Sequence, residues 1–215
     1  PLPPQDQDPR TATVLRSLLR SEQVGHHDQR VVLIHATGAS RLRLAAGMDH
    51  VVDGPADTEL RTESGPDLGR LIITAHLEPG QRLRVIKFVG YGWSSQRSVP
   101  ALRDQVEGAL AAACHRGWDG LLADQRSYLQ DFWNRADVEV EGDAQIQQAV
   151  RFALFQVLQA AARAEQRPIP AKGLAGAGYD GHTFWDAETF VLPVLTYTAP
   201  EAVAAALRWR NETLS

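Results

Sequence analysis

The sequence predicts an α+β chain in which a β-rich first half gives way to helices, and two changes of pattern carry that reading. From about Arg30 to Tyr91 the apolar residues come in short runs separated by turn residues. From Val99 onward they recur at the longer period of helices. Strands are expected at Val31–His35, Arg41–Ala45, Leu71–Leu77 and Leu83–Val89. Leu71, Ile73, Ala75 and Leu77 alternate with their neighbours, as do Leu83, Val85 and Val89, so each run can bury one face. Pro79-Gly80 is a turn signal between the last two runs and predicts that they pair as an antiparallel hairpin. Ahead of the strands, Val14, Leu15, Leu18 and Leu19 stand at helical spacing.

In the second half one helix is expected to reach His115 and another to run from Trp118 to Arg135. Asp137–Glu141 reads as a short extended connector, and Gly142-Asp143 as a turn followed by an N-cap. The next helix carries Ile146, Val150, Ala153, Leu154, Val157, Leu158 and Ala161 on one stripe, and should end before Pro168. Pro168, Pro170, Gly173, Gly176, Gly178 and Gly181 make the stretch from Arg167 to Thr183 a loop, and loops of this length are usually functional. An apolar, aromatic segment follows from Phe184 to Tyr197. Thr198 with Glu201 reads as a capping box that opens a last helix through Leu214.

Composition narrows the function. A formal net charge of −4 argues against nucleic acid as a partner, because neutralising phosphates needs a basic surface; a sugar or other small neutral ligand fits better. The single Cys114 excludes an internal disulfide and a multi-thiolate metal site, which points to a reducing compartment, the cytoplasm by default. No apolar run approaches the roughly 20 residues that span a bilayer, and Pro1–Pro9 lacks a signal pattern, so no membrane association is expected. The Pro-rich start without Met reads as a boundary inside a longer protein.

Several residues invite chemical readings. Gly176, Gly178 and Gly181 have the spacing of a dinucleotide fingerprint, but that motif needs a strand before it, and here a long helix precedes it. Glycines that let a tight loop approach a ligand explain the spacing better. His182, Asp186 and Glu188 match no common metal signature, so no metal is expected. His26 and His27 read as exposed loop residues, and His35, His50 and His76 as structural. Trp93, Trp118, Trp133 and Trp209 are expected to pack in the core.

Trp185 and Asp186 are different. An aromatic plane beside a carboxylate after a glycine-rich loop is what a sugar pocket needs. The indole covers the apolar C–H face, and the carboxylate accepts hydroxyl hydrogen bonds worth roughly 1.5–3 kcal/mol each. The plainer alternative is a core Trp beside a helix-capping Asp, and on physical grounds alone it is the stronger of the two.

The run Gly173–Glu188, GLAGAGYDGHTFWDAE, closely resembles the signature of glycoside hydrolase family 65. Phe190–Pro193 (FVLP), Tyr197–Glu201 (YTAPE), Leu207–Arg210 (LRWR) and Thr213-Leu214 continue the resemblance in order. Upstream, Phe132-Trp133, Glu141–Asp143 and Gln148–Phe152 are similar too, and a looser likeness runs from Asp8–Arg10 through Gly47–His50. The resemblance implies the end of an antiparallel β-sandwich in residues 1–97, a helical linker in 98–136 and the first helices of a six-fold α/α barrel in 137–215. It also implies inverting cleavage of an α-glucosidic disaccharide, with inorganic phosphate as co-substrate and no cofactor, to give β-glucose 1-phosphate. A homodimer is the common assembly in the family.

By motif position, Trp185 and Asp186 correspond to residues that bind the transferred glucosyl unit. No catalytic residue is assigned in this chain, because the family's proton-donating glutamate and phosphate-binding residues fall beyond Ser215. Glu188 is given a supporting role. Ala177 stands where many members have Glu and Ala187 where Thr is usual, which leaves the choice among maltose, trehalose, kojibiose and nigerose open. A hydrolase of the same family, using water, and a non-catalytic carbohydrate-binding or interaction module are the competing readings.

Overall fold

Six antiparallel strands followed by helices make up the computed structural model, which describes residues 19–38, 40–161, 167–173, 179 and 182–214. The strands are β1 (Leu19–His27), β2 (Arg30–Thr37), β3 (Arg43–Asp53), β4 (Glu59–Gly65), β5 (Leu68–Thr74) and β6 (Arg84–Ser94). The helices are α1 (Val99–Ala136), α2 (Ala144–Ala161), α3 (Leu192–Thr198) and α4 (Pro200–Thr213), with a π-helical turn over Ala187–Val191 before α3. The chain divides into two compact units between Gln125 and Arg126.

In the first unit, β1-β2-β3-β6 form one antiparallel sheet and β4-β5 a separate hairpin. Val32, Ile34, Ala45 and Phe88 on one face of the sheet meet Leu102, Val106 and Leu110 of α1. Full burial of a Val, Ile, Leu or Phe side chain contributes about 1.5–3 kcal/mol. The approach is close because glycines line the sheet under the helix: a Cβ on Gly47 would stand 2.6 Å from Val106 Cγ1. The β4-β5 hairpin packs on the other face. There the His35 ring meets Asp67 Oδ1 at 2.9 Å and the His26 ring meets Ser64 Oγ at 2.7 Å. Cys114 lies at the edge of the core, where burial and the nearby Asp49 carboxylate push its thiol pKa up and keep it protonated.

The expected hairpin across Pro79-Gly80 is not formed. Those residues do turn, with Gly80 at φ 89° and Gln81 N–H bonded to the Glu78 carbonyl. However, β5 pairs with β4 and β6 pairs with β3 over eleven residue pairs. The physical reason is a nearer partner: Pro66-Asp67 forms a two-residue loop between Gly65 and Leu68, and the short-range closure of β4 on β5 wins. Leu19, expected at helical spacing, opens β1, while Val14, Leu15 and Leu18 lie outside the described residues. His26 and His27 are exposed, as expected, but belong to β1 rather than to a loop. Arg41 precedes β3 in a left-handed turn at φ 53°.

The break expected between His115 and Trp118 is found at Gly117, whose φ of 70° and ψ of 170° interrupt α1. It resets the helical phase, so Trp118 leaves the stripe of Leu102, Val106 and Leu110 and is 53% exposed instead of buried. In the second unit Phe132, Ala136 and Leu158 form a core with Leu129, Trp133 and Leu154, and Phe132 meets Trp133 edge to face. Ala161, Ile169, Leu192, Leu195 and Ala202 form another, joining α2, α3 and α4. Of the expected α2 stripe, Leu158 and Ala161 are buried and Ile146 is exposed. Asp143 caps α2 as predicted, accepting bonds from the N–H groups of Gln145 and Ile146. The Thr198 capping box is not made. Thr198 ends α3 and donates its hydroxyl to the Val194 carbonyl, and Ala199 takes the N-cap position ahead of Pro200.

Candidate functional site

Pro193 shapes the region. It has no N–H to give, and its ring would collide with a carbonyl one turn back, so the chain cannot run through Ala187–Val191 as an ordinary α-helix. It widens into a π-turn, closed by the Leu192 N–H on the Ala187 carbonyl. Such turns often sit at functional sites. Before it the loop folds on itself, with Ala171 N–H bonded to the His182 carbonyl at 3.0 Å and His182 N–H to the Tyr179 carbonyl at 2.8 Å. Tyr179 is held at φ 60° with its ring edge-on to Phe184. Gly176, Ala177, Gly178 and Gly181 lie outside the described residues.

Trp185 and Asp186 enter the π-turn. The Trp185 carbonyl accepts bonds from Thr189 N–H at 3.0 Å and from Thr189 Oγ1 at 3.1 Å, which anchors its backbone. Trp185 is 64% exposed. Asp186 is also exposed and occupies the N-cap position without making a side-chain capping bond. The plainer alternative, a buried Trp beside a capping Asp, is therefore not the arrangement these two residues adopt.

Behind them lies an ion pair between Glu188 and Arg210. Arg210 Nε donates to Glu188 Oε1 at 2.7 Å, and both side chains are mostly buried. The guanidinium carbon lies 4.9 Å from the Trp185 ring centroid and 5.1 Å from that of Trp209. Glu188 thus ties the π-turn to α4. Sequence reasoning missed Arg210 as part of this cluster. Its adjacency to Trp209 was visible, but its pairing with residues more than twenty positions away leaves no spacing signal.

Residues 3–132 match the model of the glycosyl hydrolase family 65 N-terminal domain, and residues 151–215 match that of the family's central catalytic domain. The chain belongs to glycosyl hydrolase family 65. An uncharacterized glycosyl hydrolase of Mycobacterium tuberculosis is 57% identical over 213 residues, 99% of this chain and 27% of the relative. The α,α-trehalose phosphorylase of Thermoanaerobacter brockii is 31% identical over 182 residues, 85% of this chain and 24% of the relative. A solved structure of a provisionally named kojibiose phosphorylase from the human microbiome superposes with a TM-score of 0.73 at 22% identity. It covers 90% of this chain and 25% of its own, and shows a shared fold. The chain thus spans about a quarter of the length of these family 65 relatives. Trp185, Asp186, Glu188 and Arg210 all fall within the stretch matched to the family 65 catalytic domain.

Proposed function

We propose that this chain is part of an inverting disaccharide phosphorylase that cleaves an α-glucosidic bond with inorganic phosphate and yields β-glucose 1-phosphate. The observation that carries the reading is an exposed indole beside a carboxylate unused in capping, at the mouth of a π-turn in the catalytic-domain stretch. Relatives named trehalose and kojibiose phosphorylase support it.

In this reading Trp185 lies along the C–H face of the glucosyl unit and Asp186 accepts hydrogen bonds from its hydroxyls. Phosphate, already an anion, attacks the anomeric carbon from the face opposite the leaving oxygen. No second carboxylate is then needed to activate water, as inverting hydrolysis requires. A glutamic acid outside residues 1–215 protonates the leaving oxygen, and no cofactor or metal takes part. Residues 1–97 belong to the end of the β-sandwich, 98–136 to the linker and 137–215 to the opening of the α/α barrel, in a cytoplasmic homodimer. No described helix is long and apolar enough to cross a membrane.

A second reading, hydrolysis by water, is favoured by the name of the Mycobacterium tuberculosis relative. The full-length protein, offered maltose, trehalose, kojibiose and nigerose with and without phosphate, separates the two. Phosphate-dependent release of β-glucose 1-phosphate supports the phosphorylase; phosphate-independent release of glucose supports the hydrolase. No turnover of any of the four favours a non-catalytic module.

A further inference from the structure

We propose that Arg210 is a positioning residue that fixes the plane of the Trp185 indole, with Glu188 holding the guanidinium in place; the inference rests on Trp185 being a sugar contact. The guanidinium carbon stands over the Trp185 ring at 4.9 Å and over Trp209 at 5.1 Å, so one cation engages two indoles. Attraction between the cation and the ring quadrupole favours one orientation of the indole plane, and occupation of one face leaves the other for a ligand. Thr189 fixes the Trp185 backbone through two bonds to its carbonyl, but these do not set the ring's rotation.

The pair is incompletely hydrogen-bonded among the described residues. Glu188 Oε2 and Arg210 Nη2 are sealed from solvent and make no hydrogen bond among the described residues, although Nη2 lies 2.6 Å from Glu188 Oε1. Burying charges with unmet hydrogen-bonding capacity is costly, and such a pair calls for an explanation beyond stability. Because those two atoms are enclosed, neither can touch a ligand. The exposed group that Arg210 contacts is the Trp185 indole, and through it the pair can act on what binds outside.

The test is a double-mutant cycle in the full-length protein, reading kcat and KM for whichever of maltose, trehalose, kojibiose and nigerose the parent turns over. Arg210→Ala is expected to lower kcat/KM roughly 2- to 30-fold, the range that a cation–π contact supports. The loss should fall mainly on KM, since an indole platform binds the sugar before and during reaction alike. In a Trp185→Ala background the same substitution should cost nothing further. Glu188→Gln should follow Arg210→Ala in direction with a smaller loss, and should also vanish in that background. Losses that multiply would overturn the proposal, since Arg210 would then act independently of Trp185, while the sugar-contact reading stood. A Trp185→Ala variant with unchanged kinetics would overturn both. Should Arg210→Ala fail to fold by circular dichroism, Arg210→Lys and Glu188→Gln carry the same cycle, with vanishing losses supporting the proposal and multiplying losses overturning it.

Discussion

Arg151 grips Asp137 across fourteen residues, its Nε donating to Oδ1 at 2.7 Å while its Nη2 donates to Oδ2, and so fastens the connector after α1 to the second turn of α2. The hydrogen bond from Arg151 is the main reason the Asp137 carboxyl is held below its usual pKa. A carboxylate depressed in the folded state adds stability that is present above its unfolded pKa and is lost as pH falls through the lower, folded value. Melting temperature should therefore drop as pH falls from about 4 toward 2. Asp137→Asn should flatten part of that dependence and leave the remainder. Thermal melts of both proteins across this window check it, and parallel curves would remove Asp137 from the acid response.

Asp143 is a second local fastener. Its Oδ1 accepts from Gln145 N–H at 2.8 Å and Ile146 N–H at 3.2 Å, satisfying two donors that α2 would otherwise leave unpaired. Asp143→Ala should cost about 1 kcal/mol and Asp143→Ser far less. Amide hydrogen exchange in the first turn of α2 reads it directly: protection there should fall roughly fivefold in the alanine variant, with α4 unaffected.

The cap was legible in the sequence because it depends on residues a few positions apart, whereas the Asp137–Arg151 pair, fourteen positions apart, was not. Asp143 before an apolar stripe announced its cap, and the change of pattern between His115 and Trp118 announced the break in α1. What failed depends on distant pairing. The alternation of Leu83–Val89 buries the opposite face to the one expected, since Ile86 and Phe88 meet the core while Val85 and Val89 are exposed, and nothing in this run or in Leu71–Leu77 states that β6 prefers β3, since that choice is made across the sheet. β4 was missed because Glu59–Gly65 carries few apolar residues. At the candidate site, Trp185 and Asp186 stood out as a local doublet. Arg210 did not, because its relation to Trp185 exists only once α4 has folded back.

The sheet–helix contact yields a paired prediction. A methyl group on Gly47 would stand 2.6 Å from Val106 Cγ1 and 2.8 Å from Leu110 Cδ1, both in the packed core. On Gly90 it would meet Leu110 at an ordinary 3.5 Å. Gly47→Ala should therefore cost about 1–3 kcal/mol by overpacking, whereas Gly90→Ala should fall within about 0.5 kcal/mol of the parent. Urea midpoints at constant slope compare the two. Equal losses would mean that α1 does not rest on the sheet at this spacing.

Asp186 offers the sharpest test of the sugar reading, because its carboxylate makes no capping bond whose loss would confuse the result. Removing a charge-assisted hydrogen bond from a closed site costs roughly 1.5–3 kcal/mol, so Asp186→Ala in the full-length protein should lower kcat/KM about 10- to 150-fold. Its melting temperature should stay near that of the parent, since an exposed side chain that makes no capping bond contributes little to folding. Asp186→Asn keeps the shape but replaces one acceptor oxygen with a donor, and should retain only part of the activity. Wild-type kinetics in Asp186→Ala would take the residue out of the site, and a large loss of stability with proportionate loss of activity would make it a structural residue. Only lost turnover with an unchanged melt fits a carboxylate that reaches a sugar hydroxyl.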